Sequence, residues 1–196
     1  MLRYEDLCDV LFDAAEAAGL EIRRVEHHVE TQTMDRHCLF VCVPEGDEPP
    51  HRVRAEISFT WDSVLTAETV YGGSCGLYHA EEDDCTHKEG QPDLTVDVEI
   101  RYVFDVPSAE QVPPLANSIK QILFEHIEHD NIPEVKFVIS VLPDGRVAVH
   151  EAYAVYVWQV DCSEEPDVEP MFAEVHRIME ALIGSGYFPK SGEMLL

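Results

Sequence analysis

Val53-Arg54-Ala55-Glu56-Ile57-Ser58-Phe59-Thr60-Trp61 alternates apolar and polar residues without a slip. Leu94-Thr95-Val96-Asp97-Val98-Glu99-Ile100-Arg101-Tyr102 does the same and runs on to Phe104. A period of two sends successive side chains to opposite faces, so each segment has one buried face and one wet face. That is the pattern of antiparallel strands with one face on a core, and it differs from the continuous apolar runs of a parallel sheet covered on both sides.

Reading outward in both directions supplies the rest of the sheet and its cover. Residues 4–18 have Leu7, Leu11, Ala14 and Ala18 at helical spacing, with Gly19 placed to end the helix. Leu20 to Glu30 reads as a strand whose alternation of Leu20, Ile22, Val25 and Val29 slips by one near Arg23-Arg24, as at a β-bulge. His37 to Val43 is a short apolar strand, and Pro44 to Pro50 a polar connection. Val64 to Tyr71 reads as a further strand, followed by a long polar loop over about 72–92. The next helix is expected near Pro114, because Pro113-Pro114 interrupts what precedes it; Leu115, Ile119, Ile122, Leu123 and Ile127 form its apolar stripe. Val135 to Val141, the turn signal Pro143-Asp144-Gly145 and the long run Arg146 to Val160 make a hairpin. A last helix is expected over Pro170 to Ile183, with Pro170 at its first position and Gly184 just past its end. The tail from 187 to 196 is expected to fray unless it docks.

This order leaves little room for β-α-β crossovers. The fold class is therefore α+β, a mostly antiparallel sheet packed against about three helices on one face, and residues 1–196 read as a single domain with no internal repeat.

The chain carries 39 acidic and 13 basic residues, a formal net charge of −26, with 45% hydrophobic residues to build a core. Such a charge argues against a partner rich in phosphate, whether nucleic acid or anionic membrane, since both are bound through Lys and Arg. No apolar run is long enough for a membrane helix, and the first residues lack a basic and an apolar signal region, so a cytoplasmic location is expected. The acids gather in three groups: Glu45, Asp47 and Glu48; Glu81, Glu82, Asp83 and Asp84; and Asp161, Glu164, Glu165, Asp167 and Glu169. All three fall in stretches read as loops. Solvation accounts for such groups, and so does docking on a basic surface.

Six cysteines in a chain expected to stay in the cytoplasm speak against disulfides. Cys8 falls on an apolar helix position. Cys38 and Cys42 sit four residues apart on a strand, roughly 13 Å, too far to share one metal or one bridge, and read as buried thiols. Cys75, His79, Cys85 and His87 are spaced C-x3-H-x5-C-x-H within the long loop. Two thiolates and two imidazoles are a zinc-type donor set, although the spacing is not that of a standard finger.

Other patterns carry less. Gly72-Gly73-Ser74-Cys75-Gly76 matches the G-x-S-x-G nucleophile elbow, but no amphipathic helix follows it. His126 and His129 lie near a helix end, where they complement the dipole. His27 and His28 point to opposite faces of their strand and cannot bind one ion together. Arg52 and Arg54 lie on one wet face of a strand and are expected to neutralise Glu56 and other carboxylates across the sheet.

The function these features point to is a non-enzymatic acidic binding or regulatory domain that docks on a basic protein, in the manner of an inhibitor, an immunity-type factor or a chaperone. Glu81, Glu82, Asp83 and Asp84 would carry the docking, with Asp161, Glu164 and Glu165 next. The alternative is a metal-binding protein that uses Cys75, His79, Cys85 and His87. No cofactor is expected under the first reading; zinc is the one that the second implies.

Overall fold

The computed structural model describes residues 3–47, 53–62, 95–104, 112–127, 133–141, 143–144, 147–162 and 165–186. Helix α1 (Tyr4–Ala17) is followed by strands β1 (Leu20–Val29), β2 (Arg36–Pro44), β3 (Val53–Trp61) and β4 (Thr95–Phe104). Helix α2 (Val112–His126), the hairpin β5 (Glu134–Val141) and β6 (Val147–Asp161), and helix α3 (Glu169–Gly184) complete the order. The strands form one six-stranded sheet, β1-β2-β3-β4-β6-β5, in which every neighbouring pair is antiparallel. The α+β class is as the alternating segments require.

The two clean strands set the inner face. Val53, Ala55, Ile57, Phe59 and Trp61 of β3, with Val96, Val98, Ile100, Tyr102 and Phe104 of β4, are all buried. They pack with Leu7 and Leu11 of α1, Leu115, Ile119 and Leu123 of α2, and Met171, Phe172, Val175, Ile178 and Met179 of α3. Full burial of side chains of this size contributes about 1.5–3 kcal/mol each. The opposite face carries ion pairs along and across strands. Glu56 meets Arg54 of its own strand at 3.4 Å and Arg101 of β4 at 4.0 Å, and Arg101 also bonds Glu99 at 3.1 Å.

Local chemistry explains the element ends. Gly19 has φ +79°, a left-handed conformation that glycine adopts without a Cβ penalty; its N–H closes on the Glu16 carbonyl at 3.0 Å. The stripe of α1 is turned toward Tyr4, Cys8 and Ala15, which are buried with Leu7 and Leu11, while Ala14 and Ala18 are only partly covered. Three expectations need correction. Pro113-Pro114 does not interrupt α2 but lies in its first turn, where a missing N–H costs no helical bond. In α3, Glu169 precedes Pro170 in the helix, and Gly184 is the last helical residue, with Ser185 as the cap and the left-handed glycine at Gly186. Asp161 does not lie in a loop but ends β6, opposite Thr95 of β4, where it is exposed.

One polar group sits inside the apolar core. Glu174 of α3 is 1% exposed, and its carboxylate accepts the Tyr156 hydroxyl at 2.9 Å. The Tyr156 and Tyr102 hydroxyls share a further bond of 3.0 Å across the β4–β6 pair. Burial holds both phenols above their ordinary range, so they stay neutral, and Tyr156 donates to the carboxylate rather than repelling it. The triad ties α3 to the centre of the sheet with polar bonds that tolerate only one packing of the two. Tyr156→Phe removes the hydroxyl that joins the other two groups, and should lower stability by about 1–3 kcal/mol. Urea unfolding would report this as a lower midpoint at an unchanged slope.

Candidate metal centre

The strand β1 is where the helix-facing side of the sheet acquires metal-type chemistry. Its pairing with β2 runs Leu20↔Pro44, Glu21↔Val43 and Ile22↔Cys42, then resumes at Arg24↔Val41. Arg23 is the extra residue, and the bulge lies at the Arg23-Arg24 slip that the alternation indicates. A one-residue shift exchanges the faces of everything that follows. Downstream of the bulge, Val25, His27 and Val29 therefore share the inner face with Ile22, and Arg24, Glu26 and His28 point outward.

Beyond that bulge, His27 lies directly across from Cys38 of β2. Cross-strand partners of this kind have Cβ atoms about 4.5–5.5 Å apart. The helix α1 crosses above and brings Cys8 to the same spot. One ligand-type atom from each of Cys8, His27 and Cys38 lies within 4.8 Å of the other two. Both cysteines are buried, at 4% and 1% exposure, whereas His27 is exposed and forms the open side. Tyr4, one helical turn before Cys8, completes the group. Its hydroxyl is 2.7 Å from His27 Nδ1 and donates to the His37 carbonyl at 3.1 Å.

The two thiols behave as a pair. The hydrogen bond from Cys38 stabilises a thiolate at Cys8 and lowers its pKa, with help from Tyr4 and against the opposing effect of burial. The same bond, with burial, holds Cys38 above the ordinary thiol range. Burial also keeps the Tyr4 phenol above its usual range. Cys42 and Cys162 differ from this pair: burial alone dominates, and pushes each thiol up to about 12. They are inert core thiols, as is expected for Cys42.

Two thiolates and an imidazole suit zinc and its relatives, which take sulfur at about 2.3 Å and nitrogen at about 2.0–2.1 Å. A tetrahedral ion with those bonds spaces its donors by about 3.5–3.8 Å, so closing this group around zinc takes an inward shift of about 1 Å or less.

The sites singled out in the sequence fall elsewhere. Cys75, His79, Cys85 and His87, the acid run Glu81, Glu82, Asp83 and Asp84, the Gly72–Gly76 pattern and Glu164 all lie outside the described residues, as does the strand expected at Val64 to Tyr71. Glu165 is described and exposed, with Asp167 and Glu169 close behind it. On the outer face, Glu56, Ser58, Thr60, Asp97, Glu99 and Arg101 line an open trough of about 850 Å³. Its carboxylates have partners already, as described for Glu56 and Glu99; Asp97 accepts from Gln159 at 3.3 Å. No protein-family model, curated protein or solved structure matches the chain.

Thiolates alkylate and thiols do not, so reactivity reports the difference between the pair and the core thiols. A lowered pKa brings the thiolate in at lower pH. Limited iodoacetamide labelling of the native chain, mapped by peptide mass, should modify Cys8 ahead of Cys42 and Cys162. The rate at Cys8 should begin to rise at a lower pH than at those two. Equal rates for the three would contradict the pairing of Cys8 with Cys38.

Proposed function

We propose that this is a metal-binding protein in which Cys8, His27 and Cys38 take up a borderline-soft divalent ion, zinc foremost. The observation that carries the reading is the meeting of three donor atoms, from α1, β1 and β2, within 4.8 Å of one another. Two thiolates and one imidazole exclude calcium and magnesium as natural occupants, since those ions prefer oxygen. The ion would tie α1 to the β1–β2 pair. Its occupancy would then set how firmly the first helix is held on the sheet edge, which is a regulatory or structural role rather than a chemical one.

Because an ion bound only to the folded state stabilises it, zinc at a hundred times its dissociation constant should add about 2.7 kcal/mol. For a chain of this size that is a rise of roughly 5–10 °C in melting temperature. The rise should vanish in Cys8→Ser and in Cys38→Ser. Their zinc affinity should fall by more than the roughly 10–100-fold that follows loss of an outer-shell partner. Serine at Cys75 and Cys85 separates the two candidate sites. If that pair of changes abolishes the zinc response and the first two do not, the ion belongs to the loop that contains Cys75, His79, Cys85 and His87.

A second reading keeps the acidity as functional. Asp161, Glu165, Asp167 and Glu169 are exposed together where β6 gives way to α3, in a chain of net charge −26. This favours docking on a basic protein, with long-range attraction steering the encounter. Replacement of Glu81, Glu82, Asp83 and Asp84 by Ser should slow association with a basic partner captured at low salt and flatten the salt dependence of the rate. An unchanged rate at low salt would remove those four residues from the interface.

A further inference from the structure

We propose that Tyr4 supplies the fourth donor, its phenolate oxygen, so that Cys8, His27, Cys38 and Tyr4 enclose the ion completely and leave no position for a substrate. The inference rests on the metal reading given above and decides what kind of metal site it is. Three protein ligands plus water is the arrangement of a catalytic zinc, whereas four protein ligands make a structural or regulatory one.

The placement of Tyr4 argues for closure. It is the first residue of α1, and Cys8 lies four residues on, so both side chains emerge from the same face of the helix. The hydroxyl is 2.7 Å from His27 Nδ1 and donates to the His37 carbonyl at 3.1 Å. It stands beside the imidazole, one helical turn from Cys8, on the side of the group where a fourth donor would complete a tetrahedron. An oxygen and a nitrogen on one zinc ion stand about 3.3 Å apart, so the phenol would give up its 2.7 Å bond to Nδ1 on sharing an ion with the imidazole. A water molecule in that corner would need the same space.

The ring itself is held in place. Tyr4 is 8% exposed, its ring lies 5.6 Å from that of Phe59, and the Arg36 guanidinium sits 5.3 Å over its face. Arg36 is in turn paired with Glu5 at the start of the helix. The guanidinium is the one positive group described against this ring; burial holds the phenol above its usual range, so its ionisation would be driven by the bound ion.

Proton and charge balance without any further reactant. The Cys8 and Cys38 thiols and the Tyr4 phenol each release one proton to solvent; the neutral imidazole gives its lone pair. Three negative donors and a divalent ion leave one net negative charge. The His37 carbonyl loses the hydroxyl that it now accepts, and the four bonds to the ion replace that hydrogen bond.

The test uses the full chain with Ser at Cys75 and Cys85, so that only this centre reports, and cobalt(II) as the spectroscopic substitute for zinc. The parent should give the intense visible bands of four-coordinate cobalt, unmoved by azide, and zinc addition should produce the ultraviolet difference band of one ionised tyrosine. Tyr4→Phe should bind cobalt about tenfold more weakly or worse, lose the tyrosine band, and acquire a cobalt spectrum that shifts when azide enters the vacated corner. Cobalt bands in the parent that respond to azide, a missing tyrosine band, or a Tyr4→Phe centre of parental affinity and spectrum would each overturn the closed site. With Cys8→Ser still abolishing binding, those outcomes leave the three-donor metal site standing. Failure of the parent to take up cobalt at all sinks both readings. If Tyr4→Phe does not fold, judged by metal-free melting, the azide response and tyrosine band of the parent decide the matter.

Discussion

The arrangement on the first strand depends on one extra residue. Leu20 and Ile22 lie on the inner side of the sheet, and so do Val25 and His27 by their pairing with the buried Phe40 and Cys38, yet the two groups have opposite parity along an unbroken strand. Arg23 resolves the conflict by bulging out of the ladder between Ile22 and Arg24. Without it, Arg24, Glu26 and His28 would turn toward α1, and the apolar residues toward water. Desolvating the Arg24–Glu26 ion pair against a helix is more costly than a distorted ladder. The bulge costs little because it stands on the edge strand, where one side of the backbone has no neighbour in the sheet. Arg23 itself is accommodated outside by an ion pair with Glu21 at 2.7 Å.

The same parity decides which histidine meets the thiols. His27 and His28 are adjacent and chemically identical, and only the register separates them. His28 is left on the outer face, across from His37 with ring centroids 6.0 Å apart. His27 meets Cys38 across the strand pair and Cys8 from the helix above. The protein thus has two polar groups on its apolar side with different characters. Tyr102, Tyr156 and Glu174 form a triad deep between α3 and the sheet, enclosed and hydrogen-bonded, which fixes a packing. Tyr4, Cys8, His27 and Cys38 lie at the rim, open through the imidazole, where an ion can enter.

Most of the fold is legible from periodicity, because each strand and helix advertises its buried face within its own residues. Val53–Trp61 and Thr95–Phe104 needed no tertiary information, and the slip at Arg23-Arg24 was visible as a break in the alternation. Helix ends were less legible: Pro113-Pro114 reads equally as an interruption or as a first turn, and only the chain before it tells which. The candidate centre was not legible. Its ligands are spaced C-x18-H-x10-C on a helix and two strands. Local spacing drew attention to Cys75 through His87, where four donors fall close together in sequence, and Cys8 and Cys38 read as buried thiols. That reading of their burial was sound. What it lacked was the helix placement that stacks one thiol on the other. One signal was available: the bulge, once recognised, puts His27 and not His28 on the face that Cys38 occupies.

The charge of the chain and the chemistry of the centre act on different ions. A surface with 26 excess negative charges concentrates every cation around it, magnesium and calcium included. Those ions find carboxylate oxygen everywhere on the outside and gain nothing from sulfur. The group at Cys8, His27 and Cys38 offers no carboxylate, and its two sulfurs are buried beneath α1. Attraction therefore raises the local supply of all divalent ions, while softness would select among them where, among the described residues, thiols and imidazole converge. An acidic exterior and a thiol-lined rim site are in this sense complementary: the first is unselective and long-ranged, the second short-ranged and discriminating. An ion at the rim would act at a sheet edge, because among the described residues β1 has a strand partner on one side only.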